Sequence, residues 1–259
     1  MSDEIKVEDR GWLLVVTLDR AEKRNALTRA MLEHLRDLFS TLRGRGDLRA
    51  VILTGAGREA FCAGTDIAEL SQLDGEGARE ASRRGQEVCD RIELCNVPVI
   101  AAVNGTAAGG GCELALACHL RVAATSATFS LPESKLGVLP AYGGTQRLTR
   151  AVGAGRALAA MLAGDALTAE EALRLGVVNR VAEPDQLMAE AESLARAIDE
   201  HAPLAVRACL EAVTRGARAP LEEGLALEAE LFARLFSTED VREGTRAFLE
   251  KRKPVFKGK

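Results

Sequence analysis

A run of small residues decides the fold: Asn104-Gly105-Thr106-Ala107-Ala108-Gly109-Gly110-Gly111-Cys112-Glu113-Leu114-Ala115-Leu116-Ala117-Cys118. It follows an apolar run, Val97-Pro98-Val99-Ile100-Ala101-Ala102-Val103, which has the length and composition of a buried strand. Three consecutive glycines come next, and the segment after them is rich in Ala and Leu, which are strong helix formers. The sequence therefore predicts a strand, a glycine-rich turn and a helix in succession.

This turn predicts a site that stabilises negative charge beside a carboxylate. Glycine permits positive φ and lets a ligand approach the main chain closely. The free N–H groups of a first helical turn, together with the helix dipole, favour an anion. Glu113 comes three residues after Gly110 and therefore lies one turn further on the same helix face. An amide and a carboxylate are thus expected side by side.

Length and composition indicate a large core with a smaller appendage. The 259 residues are 47% hydrophobic and 28% charged, which is ordinary for a globular protein. Only 3% are aromatic, which argues against a stacking surface for single-stranded nucleic acid. The net charge of −4 creates no general attraction to nucleic acid or to an anionic membrane. The acidic N-terminus is unlike a signal peptide, and no run of about 18 apolar residues predicts a membrane span.

The six cysteines form no Cys-x-x-Cys motif, and most lie in apolar segments. We expect them to be reduced and buried, which predicts a cytoplasmic location. Cys112 and Cys118 flank Glu113 near His119, but a spacing of six does not put them on one helix face, so no metal site is expected. The glycines also lack the context of a dinucleotide fingerprint and the ending of a nucleotide P-loop.

Strands and helices alternate through the first part of the chain, which predicts an α/β core. Thr28 is expected to cap a helix that runs to about Arg43, and Thr168 is expected to cap a later helix. Val177–Val181 is predicted as the last strand, and the chain beyond Pro184 is predicted to be helical. We set a boundary near residue 200, with an α/β core at 1–200 and a helical region at 201–259.

Seven segments along the chain form a recognisable pattern. They are Asn25-Ala26-Leu27, Phe61-Cys62-Ala63-Gly64-Thr65-Asp66-Ile67, Pro98–Cys118, Leu131-Pro132-Glu133-Ser134-Lys135-Leu136-Gly137, Gly143-Gly144-Thr145-Gln146-Arg147-Leu148, Ala169-Glu170-Glu171-Ala172 through Gly176-Val177-Val178, and Glu243-Gly244 through Phe248-Leu249-Glu250-Lys251-Arg252. Each is weak alone, but together, and in this order over nearly the whole length, they resemble the enoyl-CoA hydratase/isomerase (crotonase) superfamily.

The resemblance implies a crotonase-like spiral of ββα units whose helical C-terminal region builds trimers, often paired into hexamers. It implies acyl-CoA thioester substrates, with coenzyme A as part of the substrate and no separate cofactor. The backbone N–H groups of Thr65 and Gly110 would form an oxyanion hole for a thioester enolate. Glu113 and Glu133 fill the two positions that carry the glutamates of the family's hydratases.

The same resemblance implies a binding site for coenzyme A. Arg24 matches a position that contacts the coenzyme, and Phe248 and Lys251 match positions that reach the coenzyme of a neighbouring subunit. Three further residues are expected to border its adenine through their backbone: Ala63, Asp66 and Ile67. Alone, Arg24 and Lys251 could equally be solvated surface charges.

Simpler explanations exist for the two glutamates as well. Glu113 could merely complement a helix dipole, and Pro132-Glu133 is typical of an exposed loop. Their joint occurrence in the family pattern favours a catalytic pair instead. We expect an enoyl-CoA hydratase of fatty acid metabolism that adds water syn across the 2,3-double bond of a short or medium acyl-CoA.

Other functions are possible on the same scaffold. One alternative is another crotonase-type reaction: enoyl-CoA isomerisation, hydration of a methylglutaconyl-type branched substrate, or acyl-CoA decarboxylation. The presence of both Glu113 and Glu133 favours hydration over isomerisation and decarboxylation. A further alternative is a non-catalytic acyl-CoA-binding or RNA-binding member, and the acidic charge and scarce aromatics argue against RNA.

Three positions depart from the family pattern. Thr65 replaces a commoner alanine, His119 replaces an aspartate, and Ala141-Tyr142 replaces a glycine-rich turn. Tyr142, the only tyrosine, is expected on the wall of the acyl pocket. His119, Tyr142 and the segment 71–95 are predicted to decide which acyl chain binds.

Overall fold

The computed structural model describes residues 4–259, apart from the side chain of Arg43. Its strands are short, and the first eight come in consecutive pairs, each followed by one or more helices. The strands are Ile5–Asp9 (β1), Leu13–Leu18 (β2), Ala50–Gly55 (β3), Ala60–Cys62 (β4), Val99–Val103 (β5), Thr106–Ala108 (β6), Leu120–Ala124 (β7), Thr128–Ser130 (β8), Leu167–Thr168 (β9) and Arg180–Ala182 (β10).

Eleven α-helices and four short 3₁₀ turns complete the regular structure of the described residues. The α-helices are Arg29–Thr41 (α1), Ile67–Leu70 (α2), Gly75–Glu93 (α3), Gly110–Ala117 (α4), Gly144–Val152 (α5), Ala154–Leu162 (α6), Ala169–Arg174 (α7), Leu187–Asp199 (α8), Pro203–Gly216 (α9), Leu221–Leu235 (α10) and Glu239–Leu249 (α11). Both predicted N-caps are confirmed. Thr28 accepts a hydrogen bond from the Met31 amide, and Thr168 forms a capping box with Glu171.

The strands form two sheets. The larger has the order β1-β2-β3-β5-β7-β10 and is parallel except for the β1–β2 pair; the smaller has the order β4-β6-β8-β9. The strands β3, β5 and β7 lie in the larger sheet. The strands that directly follow them, β4, β6 and β8, lie in the smaller sheet, and a helix comes after each pair. This arrangement confirms the predicted spiral of ββα units.

The core surrounds residues 97–118, which form β5, β6 and α4. Every residue of β3 and β5 is buried, as expected for parallel strands covered on both faces. The helix α4 packs directly on β4, because a Cβ added to Gly111 would lie 2.2 Å from the Cys62 carbonyl oxygen. This contact fixes the start of α4 beside the loop that follows β4.

Four details of the prediction were wrong. The strand expected at Val177–Val181 begins only at Arg180, because the amides of Val177 and Val178 donate to the Ala172 carbonyl at the end of α7. The strand β6 occupies part of the predicted glycine-rich turn, and β9 was missed altogether. Cys209 is exposed, whereas the other five cysteines are buried as expected.

The C-terminal helices bury few of their residues. In α9 only Pro203 is buried, and in α10 only Leu231. Large apolar side chains are exposed on α9, α10, α11 and the tail that follows: Val213, Leu221, Leu225, Phe232, Phe236, Phe248, Leu249 and Val255. The boundary near residue 200 stays a prediction. Across residues 4–259, no helix combines the length and the apolar character that a membrane span requires.

Candidate active site

A largely apolar cleft of about 390 Å³ opens where the loop after β4 faces the start of α4. Its other sides are formed by α2, the first half of α3 and the loop between β8 and α5. The lining residues are Ala63, Gly64, Thr65, Ile67, Leu70, Leu73, Ala78, Ala81, Ser82, Gly109, Gly110, Glu113, Pro132, Glu133, Leu136, Val138, Leu139, Ala141 and Tyr142.

Two glycines allow the main chain to line this cleft at close range. Gly64 has φ +109°, and a Cβ there would lie 3.1 Å from the Ala108 carbonyl oxygen and 3.7 Å from the Gly110 nitrogen. Gly109 has φ +50°, and a Cβ there would lie 3.1 Å from a carboxylate oxygen of Glu133. Because L side chains rarely adopt such φ values, glycine lets the two backbone segments meet here.

Two backbone amides at this meeting point remain available to a ligand. Gly110 is the first residue of α4, where an N–H has no intrahelical acceptor. Thr65 forms a parallel bridge with Leu27 in which the Leu27 amide donates to Gly64 and the Asp66 amide donates to Leu27. That pattern turns the Thr65 N–H away from Leu27. Within residues 4–259, neither amide has a hydrogen-bond acceptor.

Glu113 lies almost completely buried in the first turn of α4, with 1% of its surface exposed. Its Oε1 accepts hydrogen bonds from the amides of Tyr142, at 2.8 Å, and Gly144, at 2.6 Å. Burial raises the pKa of Glu113 to about 7, although the two amide donors oppose this effect. The side chain is therefore fixed in place and can exchange a proton near neutral pH.

Glu133 begins a short 3₁₀ turn, Glu133–Leu136, and its carboxylate lies beside Gly109. Its Oε2 is buried and has no hydrogen-bond partner among the described residues. Burial raises the pKa of Glu133 as well. A buried oxygen without a partner is costly for a fold and is commonly explained by a functional role, such as holding a water or a ligand.

Comparison with known proteins identifies this arrangement. The family model for enoyl-CoA hydratase/isomerase matches residues 8–259. The chain belongs to the enoyl-CoA hydratase/isomerase family. It is 42% identical over 251 residues to the short-chain-enoyl-CoA hydratase of Clostridium acetobutylicum, covering 97% of this chain and 96% of that protein.

Two further relatives support the family assignment. The crotonyl-CoA hydratase of Syntrophomonas wolfei is 41% identical over 254 residues, covering 98% of both chains. The crystal structure of enoyl-CoA hydratase from Bacillus anthracis superposes with a TM-score of 0.95 at 38% identity, covering 99% of this chain and all of that one. The spiral fold is therefore that of the hydratase/isomerase family.

The structure brings together most of the residues that the family resemblance predicted. The cleft is lined by Ala63, Thr65, Ile67, Gly110, Glu113, Glu133 and Tyr142. The hydroxyl of Tyr142 lies 3.0 Å from Oγ1 of Thr65. Two residues that depart from the hydratase/isomerase pattern are therefore in contact. Tyr142 lies on a wall of this cleft, and its contact with an acyl group stays a prediction.

Four other predicted residues do not line the cleft. The Asp66 side chain caps α2 and pairs with Arg20 at 2.6 Å. Arg24 is exposed beside the cleft, where its carbonyl oxygen accepts from the Ala63 amide. Phe248 on α11 is 84% exposed, and Lys251 follows the end of that helix with φ +55°.

His119 lies away from the cleft, so its predicted influence on the acyl chain was wrong. Its Nδ1 accepts from the Val99 amide at 2.9 Å, and its Nε2 lies 3.0 Å from the Glu93 carbonyl oxygen. Burial lowers the pKa of His119 to about 4, so the ring is neutral and tethers α3 to β5. The segment 71–95 was also predicted to influence acyl binding. That prediction fits better, because this segment contributes Leu73, Ala78, Ala81 and Ser82 to the lining.

Sequence reasoning missed the apolar side chains of the loop after β8. Leu136, Val138 and Leu139 line the cleft although they are 59%, 45% and 65% exposed. The available signal was their composition, because large apolar residues in a loop without regular structure often mark a binding surface.

Proposed function

We propose that this member of the family is an enoyl-CoA hydratase that adds water syn across the 2,3-double bond of an acyl-CoA thioester. One observation carries the proposal: two backbone amides that have no acceptor among the described residues line the same apolar cleft as the buried Glu113 and the partly buried Glu133. The hydratase names of relatives at about 40% identity support a hydro-lyase. Coenzyme A is part of the substrate, and no separate cofactor is needed.

The two amides would stabilise the charge that develops during addition. Attack of water at carbon 3 moves the electron pair of the double bond toward the thioester, which places negative charge on the carbonyl oxygen. The N–H groups of Thr65 and Gly110 would donate to that oxygen and so form the oxyanion hole. Each such donor contributes on the order of 10² to 10³ in rate in other enzymes.

The two glutamates would move the protons. We assign Glu133 as the base that takes a proton from water while the water oxygen bonds to carbon 3. Glu113 is its partner and delivers a proton to carbon 2 as the enolate collapses. This assignment is supported by the pKa of about 7 for Glu113, which keeps a fraction of that carboxyl protonated at neutral pH.

Replacing each glutamate by glutamine tests the assignment. We expect Glu113→Gln and Glu133→Gln each to reduce the hydration of crotonyl-CoA by a factor of roughly 10² to 10⁴, because a proton carrier is lost while the side-chain shape is kept. Loss of absorbance by the conjugated thioester gives the rate. Glu170→Gln, at an exposed position on α7, is the matched control and should retain the wild-type rate. Near-wild-type rates in both active-site variants would contradict the proposal.

Alternative reactions are less well supported. A methylglutaconyl-type substrate carries an extra carboxylate, but among the described residues that line the cleft none is Lys, Arg or His, and two are glutamates. An uncharged acyl group is therefore favoured. Isomerisation and decarboxylation remain alternatives, and the presence of both glutamates favours hydration over them. A gel-shift assay with RNA at physiological salt would distinguish an RNA-binding protein from an enoyl-CoA hydratase.

We also propose that the active unit is a trimer or a hexamer. The exposed apolar side chains of α9, α10 and α11 support this, because such surfaces commonly mark protein interfaces. The coenzyme would then contact Arg24 and the backbone at Ala63, Asp66 and Ile67 in one subunit and Phe248 and Lys251 in its neighbour. Light scattering at micromolar concentration should give the mass of a trimer or hexamer, and a monomer would contradict both ideas. The buried free thiols support a cytoplasmic location.

A further inference from the structure

Tyr142 is held in place both through its backbone and through its hydroxyl. Its amide donates to Glu113, and its carbonyl oxygen accepts from the Arg147 guanidinium at 3.1 Å. At the other end its hydroxyl bonds to Oγ1 of Thr65 at 3.0 Å, and only 4% of the residue is exposed. The ring therefore cannot turn aside without breaking a partly buried hydrogen bond, which is unfavourable.

The ring occupies a slot made by two glycines. A Cβ added to Gly85 of α3 would lie 2.0 Å from Cδ1 of Tyr142, and a Cβ on Gly110 of α4 would lie 3.0 Å from Cε2. Any larger residue at position 85 would collide with the ring. Tyr142 thus fills the space between α3 and α4, directly beside the Gly110 amide.

The face of α3 that leads to this slot is lined with small residues. Ala78, Ala81 and Ser82 face the cleft, and Oγ of Ser82 donates to the Ala141 carbonyl oxygen at 2.8 Å. This hydrogen bond holds the loop before Tyr142 against α3. Small side chains on one helix face leave room for an alkyl chain, and that room ends at the tyrosine ring.

We infer that Tyr142 limits the length of the acyl group, so that the cleft selects short acyl chains. This inference rests on the proposed hydratase function and extends it to the substrate class. Atoms of a longer chain would have to enter the volume of the ring, which is fixed by Thr65 and seated on Gly85. Removing the ring joins the slot at Gly85 to the cleft and makes room for additional methylenes.

Hydration kinetics with a graded set of substrates and variants test the inference. The substrates are crotonyl-, 2-hexenoyl- and 2-octenoyl-CoA, and the variants are Tyr142→Phe, Tyr142→Leu and Tyr142→Ala. We expect wild type to prefer crotonyl-CoA and Tyr142→Phe, which keeps the ring, to retain that preference. The ratio of kcat/KM for octenoyl-CoA to that for crotonyl-CoA should rise in Tyr142→Leu and further in Tyr142→Ala, by on the order of tenfold or more.

Two results would overturn the inference: equal wild-type efficiency with octenoyl- and crotonyl-CoA, or an unchanged ratio in both Tyr142→Leu and Tyr142→Ala. If Tyr142→Ala does not fold, as judged by circular dichroism, the ratio of kcat/KM measured for Tyr142→Leu alone decides. Calorimetric binding of butyryl- and octanoyl-CoA separates this inference from the proposed function. A wild type that hydrates none of the substrates would refute the hydratase proposal, while the relative affinities of the two saturated thioesters would still test the role of the ring.

Discussion

The two sides of the cleft are built from different parts of the polypeptide. We call residues 63–65 with 109–113 the glycine wall and residues 136–142 the loop wall, and Glu133 precedes the loop wall and belongs to neither. The glycine wall is mostly buried, and backbone atoms and small residues form much of its surface. The loop wall presents side chains, among them Leu136, Val138 and Leu139, which are all substantially exposed.

This difference separates chemistry from selectivity. The position of the Thr65 and Gly110 amides depends on close backbone contacts, such as that between Gly64 and the Ala108 carbonyl. The shape of the loop wall depends on which side chains it carries. A substitution in the glycine wall should therefore disturb folding and catalysis together, whereas one in the loop wall should chiefly change substrate binding.

The largest effect is expected from Gly111→Ala, which would break the contact that supports the glycine wall. The new methyl group would meet the Cys62 carbonyl oxygen at 2.2 Å, so α4 must move away from β4. We expect the free energy of unfolding to fall by about 1–3 kcal/mol. Activity should fall as well, because the Gly110 amide would shift. Urea unfolding and crotonyl-CoA hydration measure the two effects.

Gly155→Ala is the matched control for that substitution. Gly155 lies in α6, where an added Cβ would have no atom within 4 Å. Because alanine favours a helix over glycine by up to about 1 kcal/mol, this variant should be as stable as wild type or slightly more stable. Equal behaviour of the two alanine variants would mean that the glycine wall is not set by close packing.

A smaller effect is expected from Leu139→Ala in the loop wall. The residue is 65% exposed, so stability should change by less than about 0.5 kcal/mol. A buried methylene contributes about 0.8 kcal/mol, so loss of an equivalent contact with the acyl group should raise KM about fourfold with little change in kcat. Steady-state kinetics would measure this.

Leu162→Ala provides the control for the loop wall, because Leu162 is 73% exposed on α6 and does not line the cleft. It should leave KM unchanged. A large loss of kcat in Leu139→Ala alone would show that the loop wall takes part in chemistry and would remove the distinction between the two walls.

The glycine wall was more predictable from sequence than the loop wall because more of its geometry is local. Gly110 and Glu113 are three residues apart, so helix periodicity alone relates the amide to the carboxylate. The partners of Tyr142 are distant in sequence: the Thr65 hydroxyl is 77 residues away. The sequence suggested that Tyr142 lines the acyl pocket. Neither its hydrogen bond to Thr65 nor its packing against Gly85 could be predicted from the spacing of residues in the sequence.

The strands of the smaller sheet were also hard to predict, for a physical reason. The missed strands contain three and two residues, and β6 consists of Thr106, Ala107 and Ala108. Alanine has low strand propensity, and a segment this short shows no alternation of apolar and polar residues. Such strands form because pairing stabilises them, β6 with β4 and β8 and β9 with β8, which is a tertiary effect.

The hydrogen bonds to Glu113 have a consequence for how substrate preference can evolve. This carboxylate is held by the amides of Tyr142 and Gly144, which are main-chain groups. Almost any residue other than proline supplies the same N–H at position 142. Mutation can therefore exchange the side chain that limits the acyl group while the carboxylate stays anchored. A lineage, or a directed-evolution library, could explore new substrates at this position without first losing the reaction.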